Sequence, residues 1–262
     1  MKALTDILHM TGKELRAFFV SPIAYVVLTG FMVLSGWFFF NLLVQFNRMI
    51  GMYEMMRRPD IASQLNLNEL VMLPLLYNMT IVLLLMVPMI TMRLFSEEKK
   101  LRTDELLLTS PLSVNSIILG KYLASLIFLD VMLGLTLVYP WILFKYGQPA
   151  PELGPIAAGY IGLFLLGASF MAVGLFASSL TENQIVAAVI SFVTLLLFFV
   201  IGWPAETVGE TAGKVLEYLS LIDHFTEFSK GLLDGQHVIY FVSFILFALF
   251  LTKRSIESTR WR

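Results

Sequence analysis

The sequence predicts an all-α membrane protein with six transmembrane helices. Of its 262 residues, 58% are hydrophobic and 14% are charged, whereas an average soluble domain carries about 25% charged residues. The mean hydropathy is +0.80. A helix needs about 20 apolar residues to cross the hydrocarbon core of a bilayer, so long apolar windows are predicted spans. They cover residues 17–47, 70–92, 122–144, 153–181, 183–205 and 235–252.

The apolar windows favour helices over barrel strands, because they are apolar on every face whereas barrel strands alternate apolar and polar residues. Their spacing predicts one bundle and a single domain over residues 1–262. The last window is the shortest, and we expect its helix to be short and to begin inside the preceding loop. Small residues are dense in residues 153–181 and permit close helix approach, either within the chain or to a second copy.

The composition excludes several chemistries. The chain has no cysteine, so disulfides and thiolate chemistry are excluded. Its net charge of -1 gives no indication of a nucleic-acid partner. The G-x-x-x-x-G-K-[ST] motif is absent from the sequence, so the chain is not expected to hydrolyse ATP through a P-loop. The H-E-x-x-H and G-x-S-x-G motifs are absent as well.

The distribution of basic residues predicts the orientation. Six spans place both termini on one side of the membrane. Twelve of the 18 lysine and arginine residues lie on that side, in the N-terminal segment, the loop between spans two and three, and the C-terminal tail. The positive-inside rule therefore places both termini and that loop in the cytoplasm.

Residues 1–20 predict an amphipathic helix that lies in the cytoplasmic interface of the membrane. The apolar residues fall on one stripe, and the basic residues lie off it. The stripe consists of Leu4, Ile7, Leu8, Leu15, Phe18 and Phe19. Ser21-Pro22 is expected to end the helix, because proline disfavours helical geometry in the residue before it. The alternative is a simple N-terminal extension of the first span.

Residues 93–112 predict a short cytoplasmic helix. Ser96 is expected to cap it, with Glu97 and Glu98 in the first turn and basic residues after them, an order that matches the helix dipole. Thr109-Ser110-Pro111 is expected to end this helix, and Ser113 to cap the next one.

Two interpretations of this charged segment are open. A charge run is often no more than a solvated surface. Here three leucines, residues 106–108, follow the charges directly. They give an exposed helix an apolar end, which favours a docking element.

Residues 206–235 form an unusual loop. It carries six acidic residues against two lysines, together with apolar residues at helical spacing. The loop is too charged to cross the membrane and too apolar to be a free connection. We expect a pair of re-entrant or interfacial helices on the external side.

Two sets of polar residues are candidate sites. Asp130 is the only residue with a formal charge inside a predicted span, which marks it as an intramembrane functional candidate. The alternative is a structural hydrogen bond from Asp130 to a neighbouring helix. Asp223, His224 and Glu227 have a spacing compatible with a bound cation. Because such residues are common on interfacial helices, we predict no metal site there.

Several segments resemble the ABC transporter type-2 permease family. The most specific runs from Arg93-Leu-Phe-Ser-Glu-Glu-Lys-Lys through Thr103-Asp-Glu-Leu-Leu-Leu-Thr-Ser-Pro-Leu-Ser to Ile118-Leu-Gly-Lys-Tyr. Lys13-Glu-Leu-x-x-Phe-Phe-x-Ser-Pro-Ile-Ala-Tyr and His224-Phe-x-x-Phe-x-x-Gly agree with it. Within the family, the chain is similar to the gliding-motility-type permease subunit over essentially its whole length. The family usually reads Gly-Thr-Leu-Glu where this chain has Arg102-Thr-Asp-Glu105, so the segment is more charged here.

The resemblance implies the permease subunit of an ATP-driven exporter in the bacterial cytoplasmic (inner) membrane. It implies no enzyme activity and no cofactor in this chain, with ATP and Mg bound by a separate ABC ATPase subunit. Residues 93–112 would be the coupling helix that contacts this ATPase, residues 1–20 a connecting helix, and residues 206–235 the external re-entrant helices. The contacts to the ATPase would come from Glu97, Glu98, Lys99, Arg102, Glu105 and Leu106.

The resemblance also implies further partners. These are a second permease copy or a related membrane subunit, and a membrane protein with a large external domain. Two other functions are weighed against this one. An ion-coupled secondary transporter would need paired broken helices, which six spans with a solitary Asp130 do not suggest. A membrane-embedded enzyme acting on lipid would have to use the acidic external loop.

Overall fold

The computed structural model describes residues 2–57, 65–103, 112–147, 149–205, 207, 209–232 and 234–259. All regular secondary structure in these ranges is helical, as the sequence predicts. The helices are α1 (Lys2–Val20), α2 (Pro22–Met55), α3 (Leu73–Thr91), α4 (Arg93–Lys100), α5 (Val114–Thr136), α6 (Val138–Tyr146), α7 (Leu153–Leu180), α8 (Gln184–Val200), α9 (Glu210–Leu219), α10 (Leu221–Ser229) and α11 (Gly235–Thr259). A π-helical turn, Asn68–Met72, leads into α3.

Five helical stretches in the described ranges are long and apolar enough to cross a membrane, so the chain is a multi-pass membrane protein. They are Pro22–Met55, Asn68–Lys100, Val114–Tyr146, Leu153–Leu180 and Gly235–Ser258. The remaining predicted span is represented by α8, an apolar helix of 17 residues. A sixth crossing at α8 therefore stays a prediction.

The prediction of a short last span was wrong. α11 has 25 residues and begins at Gly235, after the loop rather than inside it. The apolar window ends at Thr252, but the helix continues to Thr259, and in this part Lys253 and Arg254 pair with Glu257 one turn further on.

The central helix of the bundle is α7, the most deeply buried of the long helices. Its glycines permit close contacts inside the chain. A Cβ atom at Gly162 would meet Phe228 of α10, and one at Gly174 would meet Thr91 of α3. Of the two interpretations of this small-residue segment, packing within the chain is the one observed at these positions.

The bundle has two chemically different ends. At the charged end, α1 and α4 meet the start of α5, while Ser255 of α11 donates to the backbone oxygen of Ser179 at 3.1 Å. At the opposite end, α9 and α10 meet the first turns of α7 and α11. There the Tyr240 hydroxyl donates to the backbone oxygen of Leu219 at 2.8 Å.

Candidate functional site: the charged end of the bundle

The charged segment begins as a continuation of the second predicted span. Met92, the residue between α3 and α4, has right-handed helical backbone angles, φ -53° and ψ -28°. Leu94, Phe95 and Ser96 are buried against the bundle. α4 is therefore fixed to the bundle along its first turn.

A side chain from another helix satisfies the first turn of α4. The Ser178 hydroxyl oxygen of α7 accepts hydrogen bonds from the backbone N–H groups of Phe95 at 2.9 Å and Ser96 at 3.1 Å. The same hydroxyl donates to the backbone oxygen of Met92 at 3.0 Å. Its role resembles that of an N-cap, supplied from outside the helix.

The expectation that Ser96 caps this helix was wrong. Ser96 lies within α4, is fully buried, and its hydroxyl donates to the backbone oxygen of Ser178 at 3.1 Å. A cap needs a non-helical residue, and the chain enters α4 without such a break. The predicted cap of the next helix is confirmed, since the Ser113 hydroxyl oxygen accepts from the Ser116 N–H at 3.1 Å.

Lys121 is the centre of a buried ion-pair network. It lies at the start of the third turn of α5, and its side chain is only 1% exposed. The ammonium nitrogen Nζ lies 2.9 Å from Oε1 of Glu14 on α1 and 3.0 Å from Oε1 of Glu98 on α4. It also lies 5.1 Å from the centre of the Phe95 ring. Two carboxylates and an aromatic face thus compensate the desolvation of one ammonium group.

Lys13 completes the network from its more exposed edge. Its Nζ lies 3.2 Å from Glu98 and 3.6 Å from Glu14. Burial acts to lower the pKa of Lys13, but the two carboxylates outweigh it and raise the pKa above the ordinary value. The network therefore holds two bases and two acids, with no net charge, and joins α1, α4 and α5.

Other predicted contact residues of α4 are also used inside the chain. Glu97 accepts a hydrogen bond from Nε of Arg93 at 2.8 Å, and Arg93 in turn donates to the Ser21 hydroxyl between α1 and α2 at 2.6 Å. Lys99 donates to the backbone oxygen of Ser179 at 2.5 Å.

The exposed part of this segment begins where α4 ends. Leu101 is 64% exposed, and Arg102 is exposed with a positive φ of 55°. Glu105 and Leu106, with the rest of residues 104–111, lie outside the described residues. The predicted docking role of these residues stays a prediction.

Sequence reasoning missed the network because its members are far apart in the chain. Lys121 was counted only as a loop cation in the orientation argument. The available signal was its setting, directly after Ile118-Leu-Gly and before Tyr122-Leu. A lysine inside an apolar run needs a partner.

Asp130 lies on the outer face of α5. It is exposed, and within the described residues it makes no hydrogen bond or ion pair. Gly134, one turn further on, has open space around its Cβ position. The alternative interpretation, a structural hydrogen bond to a neighbouring helix, is therefore not observed in the part of the chain that is described.

The structure brings two histidines together at the opposite end. Nδ1 of His224 on α10 lies 2.6 Å from Nδ1 of His237 on α11, and Nε2 of His224 lies 3.0 Å from the backbone oxygen of Tyr218. That oxygen only accepts, so Nε2 carries the proton, and the Nδ1 of a neutral His224 accepts from His237. Sequence reasoning paired His224 with Asp223 and Glu227 instead, and the 13-residue separation gave no signal for His237.

The histidine pair borders a polar cavity of about 680 Å³. Its charged lining residues are Lys214, Glu217, Asp223 and Glu227. Among the described residues, no group of three histidine, cysteine, aspartate or glutamate side chains has an arrangement that would hold a metal ion. Burial lowers the pKa of His224 and the nearby His237 lowers it further, against the opposing effects of the Tyr218 carbonyl and Asp223.

Comparison with known proteins identifies one family. A family model described as ABC-2 family transporter protein matches residues 58–252, well over half of the chain. A comparison with curated proteins gives no match.

Proposed function

The chain belongs to the ABC-2 family of transporter proteins, and from this premise we propose that it is the transmembrane permease subunit of an ATP-driven exporter. Family membership implies an ABC ATPase as partner, in which ATP is bound and hydrolysed. It favours this function over an ion-coupled transporter or a lipid enzyme. α8 and the apolar residues 201–205 that follow it would complete the sixth crossing.

In the proposed orientation, the charged end faces the cytoplasm. The basic residues of the N-terminal segment, α4 and the end of α11 all belong to that end, and the positive-inside rule places such residues in the cytoplasm. α9 and α10 would then lie on the external side, and α1 would lie along the inner surface of the membrane.

The observation that carries the coupling proposal is the attachment of α4 to three other helices. Glu98 is paired with Lys121 of α5 and Lys13 of α1, while Ser96 is bonded to Ser178 of α7. An ATPase that contacts residues 101–112 would act on the end of α4. Any displacement there would pass to α1, α5 and α7 through these contacts rather than dissipate in a flexible loop.

In this arrangement, two parts of residues 93–112 have different roles. The buried or half-buried Glu97, Glu98 and Lys99 transmit movement within the chain, and the exposed residues from Leu101 onward contact the partner. Two copies of the chain, or this chain and a related subunit, would form the pathway. A gliding-motility-type assembly would add a membrane protein with a large external domain.

Co-purification with an ATPase tests the docking surface. The full chain is co-expressed with the ABC ATPase encoded nearest to its gene, and the recovered ATPase is quantified. The double variant Leu101→Asp, Arg102→Glu changes exposed residues only. We expect it to lower ATPase recovery roughly tenfold, because the anchoring contacts of an interface carry most of its binding energy.

A matched variant at the other end serves as the control. Glu210 and Lys214 form an exposed ion pair on α9, and the swap Glu210→Lys, Lys214→Glu reverses both charges there. Its ATPase recovery should equal that of the wild type. Undiminished recovery with the Leu101→Asp, Arg102→Glu variant would refute the docking role of this segment.

A further inference from the structure

Asn68 presents an unsatisfied acceptor near the opposite end of the bundle. The residue is 6% exposed, and its Nδ2 donates to the backbone oxygen of Glu152 at 3.2 Å. That oxygen only accepts, so it fixes which side of the amide is the NH₂ group. The amide oxygen Oδ1 is buried and has no hydrogen-bond partner among the described residues. Such oxygens are rare in folded proteins, so Oδ1 calls for a donor beyond the described residues.

A cavity adjoins this amide. It has a volume of about 510 Å³, and Glu69, Glu152, Ser229 and Lys230 line it together with Asn68. Asn68 is also the first residue of the π-helical turn, a local irregularity that frequently marks functional positions. The cavity is large enough for a small polar group rather than a single water molecule.

The charges around the cavity are of both signs. Glu69 and Glu152 are exposed, and neither takes part in a side-chain hydrogen bond or ion pair within the described ranges. Nζ of Lys230 lies 2.7 Å from Oε1 of Glu227, with which it forms an ion pair. A complementary ligand therefore carries a cationic N–H donor for the oxygens of Asn68 and the two glutamates. It carries an anionic group for Lys230.

The depth of the cavity in the membrane narrows the choice of ligand further. Asn68 begins one candidate span, Asn68–Lys100, and Glu152 directly precedes another, Leu153–Leu180. Residues at the ends of spanning helices lie at the level of the lipid headgroups. The cavity is thus open to the polar layer of the membrane and to solutes in the adjacent water.

We propose that this cavity binds a phosphoethanolamine group, with its ammonium at Asn68 and the glutamates and its phosphate at Lys230. A bare divalent cation fits less well, because Lys230 would repel it. A phosphocholine group fits less well, because its quaternary ammonium has no N–H donor for Asn68. The group arrives either as the headgroup of phosphatidylethanolamine or as soluble phosphoethanolamine. This site goes beyond the exporter function and does not require the ATPase.

Lipid selectivity of the full chain tests the proposal. The purified protein is placed in nanodiscs with equal amounts of phosphatidylethanolamine and phosphatidylcholine of matched acyl chains, and retained lipids are counted by native mass spectrometry. We expect the wild type to retain roughly fivefold more of the ethanolamine lipid. Asn68→Leu should abolish this preference. The exposed Glu69→Gln should reduce it without affecting folding.

Asn41→Leu is the matched control. Asn41 is exposed on α2, and its side chain donates to the backbone oxygen of Trp37 in its own helix. This variant should retain lipids in the wild-type ratio. A wild-type ratio in both Asn68→Leu and Glu69→Gln would overturn the proposal. Equal retention of the two lipids by the wild type would overturn it if soluble phosphoethanolamine does not bind either.

A second arm distinguishes the two sources of the ligand. The chain in nanodiscs without phosphatidylethanolamine is titrated with soluble phosphoethanolamine. Saturable binding that Asn68→Leu removes supports the site with a soluble ligand. Lipid preference without binding of the soluble compound supports the site with the lipid as ligand. If the chain shows neither binding of the soluble compound nor a lipid preference, the proposal is overturned.

Discussion

The two ends of the bundle are held together by opposite kinds of titratable group. At the charged end, the ammonium of Lys121 lies between the carboxylates of Glu14 and Glu98, and all three need their charges. At the opposite end, His224 has to be neutral to accept from His237. Charge removal is therefore expected to weaken one end of the protein, and charge addition to weaken the other.

The difference also bears on where movement would enter the molecule. The network at the charged end joins α1, α4 and α5 through buried contacts, so it suits a connection that has to transmit displacement. The histidine contact joins α10 to α11 beside a polar cavity, with His224 stacked on the Tyr240 ring at 3.7 Å between centroids. A single protonation suffices to change that contact.

The largest effect is expected for Lys121→Met. The variant leaves Glu14 and Glu98 with only the more exposed Lys13 as counter-ion. Removing the buried member of such a network costs about 3–5 kcal/mol of the free energy of unfolding. Thermal or denaturant unfolding of the purified protein in detergent measures it.

The matched control for this prediction is Lys121→Met combined with Glu14→Gln and Glu98→Gln. It also removes the charges of the two carboxylates that have lost their buried counter-ion, so most of the lost stability should return. A single Lys121→Met variant that unfolds like the wild type would show that the network contributes nothing.

The second effect, also at the charged end, is expected for Ser178→Ala. Its hydroxyl oxygen accepts hydrogen bonds from the N–H groups of Phe95 and Ser96, and the residue is fully buried. An unsatisfied buried donor costs about 1–3 kcal/mol, so unfolding should shift by that amount. Ser258→Ala is the control, since among the described residues the exposed Ser258 bonds only to Ser255 of its own helix. An equal shift in both variants would contradict the capping role.

The third effect is a pH dependence of the melting temperature that comes from His224 at the opposite end. Burial lowers the pKa of His224 below its ordinary value of 6.5. The contribution of the neutral ring is therefore complete above pH 6.5 and decreases as the pH falls below that value, because the unfolded chain then binds the proton more readily. The melting temperature should drop between about pH 7.5 and about pH 5.5.

The variant His224→Gln should flatten this pH dependence. His9→Gln, which changes an exposed histidine on α1, should leave it as in the wild type. If His224→Gln and the wild type lose the same number of degrees, the histidine contact is not the cause of the pH dependence.

The smallest effect is expected for Asp130→Asn, between the two ends. Because Asp130 is exposed and has no partner within the described chain, the free energy of unfolding in detergent should change by less than about 0.5 kcal/mol. A loss above about 1 kcal/mol would show that the carboxylate is a structural group. Normal export by this variant would remove any role for its charge.

Local patterns in the sequence were enough for the class of fold and for several boundaries. The apolar windows predicted the long helices, Ser21-Pro22 predicted the break after α1, and Ser113 predicted a cap that the structure confirms. Each of these depends on neighbours within a few residues. The length of α11 and the cap of α4 were mispredicted, because the helix extends past the apolar window into charged residues and the cap comes from Ser178 of another helix.

Hydropathy along the chain is enough to identify a helical membrane protein with a charged segment after its second apolar stretch. Hydropathy and charge distribution follow from the order of the residues along the chain and do not depend on how the chain folds. The contacts of the charged residues depend on the tertiary structure, because one partner of Lys121 is Glu14, 107 residues away in the chain. Such a pair contributes to stability because it is buried, and it is buried only because the helices pack against one another.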